Sequence, residues 1–355
     1  MEKTETLIIG AGLAGLTAAY ELHKAGKPFL LLEARDRIGG RILTSRVKGE
    51  SPLELGATWF GKKHTALVSL LEELKIPSFE QVTGGRAIYE AISTSPAQVV
   101  QLPHNDEPSY RIAGGSDAVI RKLAETLPAG SIRLSEPVQS ISLEVDVLVV
   151  STKKQNYHAD RVISTLPPYL LVNSINITPE LPETFLRVAN TTHTWMGESI
   201  KVGLRYASPF WRADGGPGGT IFSNVGPVSE MYDHTNVEDN HYALKGFLNG
   251  AYHSLTREER CDLVLNQLRK YYGDVVDSYT SYEEAVWRHE SHTFLPYEEH
   301  LLPHQHNGHP IFRTPLLEGR LLLAGAETAV LFPGYMDGAV RSGQRVCSAD
   351  FSRHS

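Results

Sequence analysis

Two kinds of apolar pattern alternate along the chain: short unbroken runs, and residues spaced three or four apart. Leu7 to Ile9 is an unbroken run of the sort that forms a buried parallel strand. Gly10, Gly12 and Gly15 follow in G-x-G-x-x-G spacing, and an Ala- and Leu-rich stretch predicts a helix that stops at Gly26 and Pro28. A second apolar run, Phe29 to Leu32, ends in Glu33. Strand, glycines, helix, strand and acid in this order form a nucleotide-binding unit. Gly10 allows the tight turn, Gly12 lets the backbone approach a pyrophosphate, and Gly15 lets the helix pack closely on the strand. The pyrophosphate would rest on the free N–H groups of the helix start, at Leu13 and Ala14, with Glu33 accepting both hydrogen bonds of a ribose diol. The unit by itself does not separate NAD from FAD.

Further along, Leu53 to Phe60 reads as a strand and glycine turn, and Leu67, Leu70, Leu71 and Leu74 stand at helical spacing. Gly84 to Tyr110 reads as short strands and polar loops. A helix is expected from Ser116 or Asp117, either of which could cap it, through Leu127. A β-rich run at Val145 to Val150 and a polar hairpin around Lys153 to Asn156 lead to a returning strand that ends in Pro167-Pro168. Glu198 to Tyr206 is a strand containing Lys201, with strand-like segments on to Leu248. Thr256 to Glu259 is a capping box for a helix through Tyr272. Leu321 to Leu323 is a buried strand, its glycine turn carries Glu327, and a helix follows Gly334.

Composition narrows the partners. In 355 residues the net charge is −7 and no basic block stands out, so neither nucleic acid nor an anionic membrane is expected. Two distant cysteines, Cys261 and Cys347, suit a reducing cytoplasm and exclude a disulfide framework. The start lacks the features of a signal peptide, and no apolar run nears the roughly 20 residues of a membrane span. His300, His304, His306 and His309 would suggest zinc, but no cysteine accompanies them and Pro303 and Pro310 favour an extended loop, so no metal is expected.

Just past the ribose acid come Arg35, Arg37 and Gly39-Gly40-Arg41, which resembles the extended signature of FAD proteins of the amine oxidase and glutathione reductase type. Together with LELGATWF, IAGGS, ISTLPP, SIKVGLRYASPFW and AGAETAVLFPGYMDGAVRSG, it resembles the flavin-containing monoamine oxidase family over most of the chain. The resemblance implies an α/β fold: a doubly wound FAD domain entwined with an α+β substrate domain built on an antiparallel sheet. The FAD domain would comprise 1–82, 112–178 and 288–355, and the substrate domain 83–111 and 179–287. It implies an ADP-binding half with Gly10, Gly12, Gly15, Glu33, Ala34, Arg35, Gly39, Gly40 and Arg41, and adenine contact at Val138. Gly56, Ala57, Thr58 and Thr165 would serve the cofactor too, as would Gly325, Ala326, Glu327, Tyr335 and Met336 of the C-terminal flavin segment. Lys201 matches the family lysine that approaches flavin N5 through a water. Trp287 matches a tryptophan beside the flavin, and Tyr297 and Tyr335 match two aromatic residues flanking the substrate amine.

The chain departs from the family pattern twice. Members with covalent flavin carry a cysteine where Pro296 stands, so noncovalent FAD is expected. The long helical insert of the family is missing between about Ile76 and Arg111. The implied reaction is oxidation of an amine or amino-acid C–N bond to an imine, with dioxygen reduced to hydrogen peroxide. A C–C desaturase or porphyrinogen-type oxidase, or a flavin-binding protein without amine turnover, stays open. Read without the family, Lys201 is a solvated strand lysine, Trp287 and Tyr297 are packing aromatics, and Glu327 is a turn residue.

Overall fold

The structure, a computed structural model, describes residues 2–348. Its frame is an eight-stranded mixed sheet in which the first strand, Glu2–Ile9, lies between Phe29–Leu32 and Asn156–Ser164, parallel to both. Ile132–Arg133 extends one side in parallel. Asn156–Ser164 divides the other side. Its first half pairs antiparallel with Val147–Thr152, and its second half pairs parallel with Leu321–Leu323. The strand ends Leu32, Ile9, Ser164 and Leu323 are therefore in register at one edge. In parallel sheets that edge is where ligands bind.

Apolar strand residues are buried on both faces, as a helix-covered parallel sheet requires. On one face Ile8, Leu31 and Ile163 pack with Leu16 of helix Leu13–Lys24, Leu67 of Thr65–Glu73 and Val340 of Met336–Ser348. A Cβ on Gly15 would lie 1.9 Å from the Gly10 carbonyl oxygen, so close packing of helix on strand demands glycine there. On the other face Leu7, Leu30 and Val162 pack with Phe185 and Phe312.

A second, seven-stranded sheet runs Tyr279–Val286, Ile200–Tyr206, Tyr242–Leu248, Val228–Asp233, Thr220–Ser223, Arg86–Glu90, Gln98–Gln101. It is antiparallel except where Thr220–Ser223 pairs with Arg86–Glu90. Helix Arg257–Tyr272, opened by the expected capping box at Thr256, covers it through Val264, Leu265 and Leu268. The short strand Leu53–Glu54 lies against this second sheet, where Leu53 packs in the space left by Gly203.

Three local expectations change. Ser116 does not cap its helix with its side chain; the Glu54 carboxylate and Thr44 hydroxyl accept from the Ser116 and Asp117 N–H groups instead. Val145 is not in a strand but fully exposed at the turn between Val138–Glu144 and Val147–Thr152, where Asp146 takes a positive φ. Leu181, Phe185 and Ala189, expected in the substrate domain, pack in the core of the first sheet. The expectations for residues 349–355 lie outside the described residues.

Candidate active site

A cavity of about 500 Å³ starts at the edge where the parallel strands end and runs to the second sheet. That volume suits a small-molecule ligand. The residues lining its first part directly follow strand ends: Gly10 after Ile9, Glu33 after Leu32, Thr165 after Ser164. The Gly12 and Gly40 backbones pack against each other at its wall, so closely that a Cβ on Gly40 would stand 3.2 Å from the Gly12 Cα. Side chains would not fit in this glycine cradle; bare backbone lets a phosphate group approach the helix start beside it. The Glu33 carboxylate is buried and accepts from the N–H groups of Ala11 at 2.8 Å and Arg35 at 3.0 Å. These bonds fix it at the cavity wall, where it can also accept from a diol. Ala34, Arg35, Gly39, Arg41 and Val138 line the same part, with Leu13 and Ala14 at the helix start. The donor set and the cradle fit the ADP half of FAD.

At the far part Gly56, Ala57, Thr58, Lys201, Trp287, Gly325, Ala326, Tyr335 and Met336 line the wall. Trp287 is locked by its indole N–H, which donates to the Leu55 carbonyl at 2.8 Å. Lys201 is buried, donates from Nζ to the Gly56 carbonyl, and is pushed by burial down to about 8, with the Glu54 carboxylate acting against that shift. A solvated strand lysine has none of these features.

Three expected residues sit elsewhere. Gly15 packs the helix and does not reach the cavity. Glu327 also stays out of the lining. Fully buried, it binds Arg41 through both oxygens, at 2.5 and 2.8 Å, and accepts from the Trp195 N–H. Burial alone would raise the Glu327 carboxyl, but the Arg41 guanidinium outweighs it and holds it low. It therefore bears on the cavity through Arg41, which lines it. Tyr297, expected to flank the substrate, is packed against Tyr169, Phe294 and His193, and its hydroxyl accepts from the Thr194 N–H at 2.8 Å. It does not line the cavity.

Trp195 lines the cavity instead, its ring centre 6.2 Å from that of Tyr335. It stacks on His304 at 3.7 Å, and its backbone is pinned from both sides: Arg41 donates to its carbonyl and Glu327 accepts from its N–H. Trp59 and Phe247 complete the aromatic wall. No local motif marked Trp195 or Phe247, the latter placed opposite Lys201 by strand register alone; Trp59 could have been suspected from its place beside Thr58. His304 is thus a packing partner of Trp195. Among the described residues, no three His, Cys, Asp or Glu groups converge to hold a metal ion, and no helix is long and apolar enough to cross a membrane.

The chain matches the family model of flavin containing amine oxidoreductases over residues 13–105 and 93–349. It is 25% identical to a probable flavin-containing monoamine oxidase A of Dictyostelium discoideum, across 96% of each chain. It is also 25% identical to the human flavin-containing amine oxidase B, across 97% of this chain and 85% of that one. A solved putrescine oxidase bound to putrescine superposes with a TM-score of 0.83 at 26% identity, covering 97% of this chain and 98% of the other. The cyclohexylamine oxidase of Brevibacterium oxydans, at 20% identity and a TM-score of 0.83 over 98% of both chains, shares the fold. With the glycine cradle, the diol acid and the Lys201–Trp287 wall in one cavity, these matches establish that the chain belongs to the flavin-containing amine oxidoreductase family and is an FAD-dependent amine oxidase.

Proposed function

We propose that the chain oxidises an amine or amino acid bearing a hydrogen on the carbon next to nitrogen, with dioxygen as the final acceptor. The amine loses two electrons and two protons and becomes an imine. Water hydrolyses the imine to a carbonyl compound and ammonia or a smaller amine, and dioxygen takes the electrons and protons as hydrogen peroxide. Bound FAD supplies the two-electron chemistry between these partners. One observation carries the reading: a single cavity joins the ADP cradle to the wall holding Lys201, Trp287 and Tyr335.

The chain's own residues bind, orient and dry the site. Gly12, Gly40 and Glu33 hold the ADP half. Trp59, Trp195, Phe247 and Tyr335 line the far part with aromatic rings, whose electron-rich character attracts an amine and whose apolar bodies exclude water from it. Lys201 holds a positive charge where negative charge develops as electrons leave for dioxygen. Pro296 has no nucleophile to offer, so FAD is held without a covalent bond. Free Cys261 and Cys347 fit a cytoplasmic protein.

The test is an anaerobic screen of amines and amino acids against the purified yellow protein, followed by admission of air. Bleaching by at least one amine, then recovery of colour with one peroxide per carbonyl formed, is expected. Acid should release the colour into solution. A flavin that no amine bleaches would refute turnover, and colour left on the denatured chain would refute noncovalent binding.

A further inference from the structure

Two lysines lie buried together at the far end of the cavity. Lys201 and Gly203 share one face of the strand Ile200–Tyr206, and Lys245 stands opposite Gly203 on the neighbouring strand. Lys245 is therefore the diagonal neighbour of Lys201 on that face, a spacing of about 7–8 Å that long side chains bridge. Their nitrogens converge on one ring, lying 5.0 Å and 5.1 Å from the centre of Phe247. Lys201 is 5% exposed and Lys245 not at all. Lys245 donates to the Thr58 hydroxyl at 2.6 Å and sits 3.8 Å over the Trp59 ring. Among the described residues, neither lysine donates to a carboxylate: Lys201 donates to the Gly56 carbonyl and Lys245 to the Thr58 hydroxyl. Burial disfavours each charge, and two such charges in one dry space repel.

We propose that Lys245 is a positioning residue for Lys201: the two amines share a single proton, Lys201 as the ammonium donor and Lys245 as its neutral acceptor. The surrounding charges fit. Burial and the neighbouring Lys201 hold Lys245 well below the usual lysine range, Arg111 adds to this, and Glu54 and Glu230 oppose it. Glu54 and a hydrogen bond to Lys245 push Lys201 back up against burial. His234, facing the same group, is kept neutral by burial and by Arg111, Lys245, Arg205 and Lys201. A neutral acceptor at Lys245 directs the Lys201 charge and lets its proton leave and return without contact with bulk water. That consequence rests on the proposed amine oxidation, whereas the proton count does not.

The proton count is read from the FAD-loaded protein labelled at lysine ε-carbons and titrated by NMR from neutral pH upwards. One lysine should be neutral at the start, and its signal should vanish in Lys245→Met. Lys201→Met removes the repulsion, so the Lys245 midpoint should rise by about one pH unit or more, a tenfold change in proton affinity. Lys245→Met removes the acceptor, so the Lys201 midpoint should fall. Lys245→Gln, a neutral acceptor, should restore it and also restore the pH profile of reoxidation by air. A Lys201 midpoint that rises in Lys245→Met would overturn the proposal, because Lys245 then acts as a neighbouring positive charge. Every lysine charged in the wild-type spectrum would overturn it too, without need of any variant. If the proton count holds and no amine is oxidised, the functional reading fails and the shared proton stands.

Discussion

At the residue scale, the site separates groups that line the cavity from groups that hold them. Glu33 and Glu327 are both buried carboxylates at strand ends, yet one faces the cavity and the other serves Arg41. In the proposed oxidation, Lys201 is the residue whose charge bears on the chemistry. Its protonated form exists below a midpoint of about 8 and is lost above it. If the ammonium stabilises charge passing to dioxygen, reoxidation in air slows as pH rises through that midpoint. Lys201→Met should flatten the profile and slow reoxidation roughly 100- to 1000-fold, about 3–4 kcal/mol. Anaerobic reduction by a good amine should stay within about tenfold, less than 1.4 kcal/mol. Stopped-flow measurement of both half-reactions decides it; a collapse confined to reduction would assign Lys201 to substrate chemistry instead.

At the element scale, the last helix carries cavity-facing residues on a packing surface. Met336 and Ala339 line the cavity from Met336–Ser348, while Gly343 on the same helix meets the first helix so closely that a Cβ would stand 2.5 Å from the Ala14 carbonyl oxygen. The neighbour is backbone and cannot swing aside. Gly343→Ala should therefore push the helices apart at a cost of about 1–3 kcal/mol. It should weaken FAD binding as well, because Ala14 and Ala339 line the cavity on either side of that contact. Denaturant titration with a flavin-fluorescence binding curve checks both; an unchanged denaturation midpoint would mean that the helix shifts freely. Here the sequence was legible: glycine spacing, the capping box at Thr256 and the apolar runs all anticipate elements that are present. Each depends on neighbours within a few residues. The cap of Asp117–Thr126 was missed because its acceptors, Glu54 and Thr44, come from a distant strand pair.

At the scale of the whole molecule, the Arg41–Glu327 pair ties the start of the chain to its end and holds the Trp195 segment between them. Removing one partner of such a pair leaves a bare buried charge. Arg41→Leu should cost about 3–5 kcal/mol in unfolding free energy, and the added change Glu327→Gln should recover a large part of it by removing that charge. Equal stability of single and double variants would show that the pair contributes through packing and not through charge.

The nucleotide-binding unit and the FAD signature were determined by the sequence itself, because contiguous residues build a strand, a turn and a helix start, and backbone geometry does the rest; Lys201 and Trp287 were marked only by the family resemblance. Tertiary structure alone decided that Trp195, not Tyr297, faces the cavity with Tyr335. That choice depends on which aromatic finds room when two distant loops pack, and the Thr194 N–H claims the Tyr297 hydroxyl. It also decided that Lys245 lies beside Lys201. The register of two strands some forty residues apart sets that pairing, and no local pattern in either strand records it.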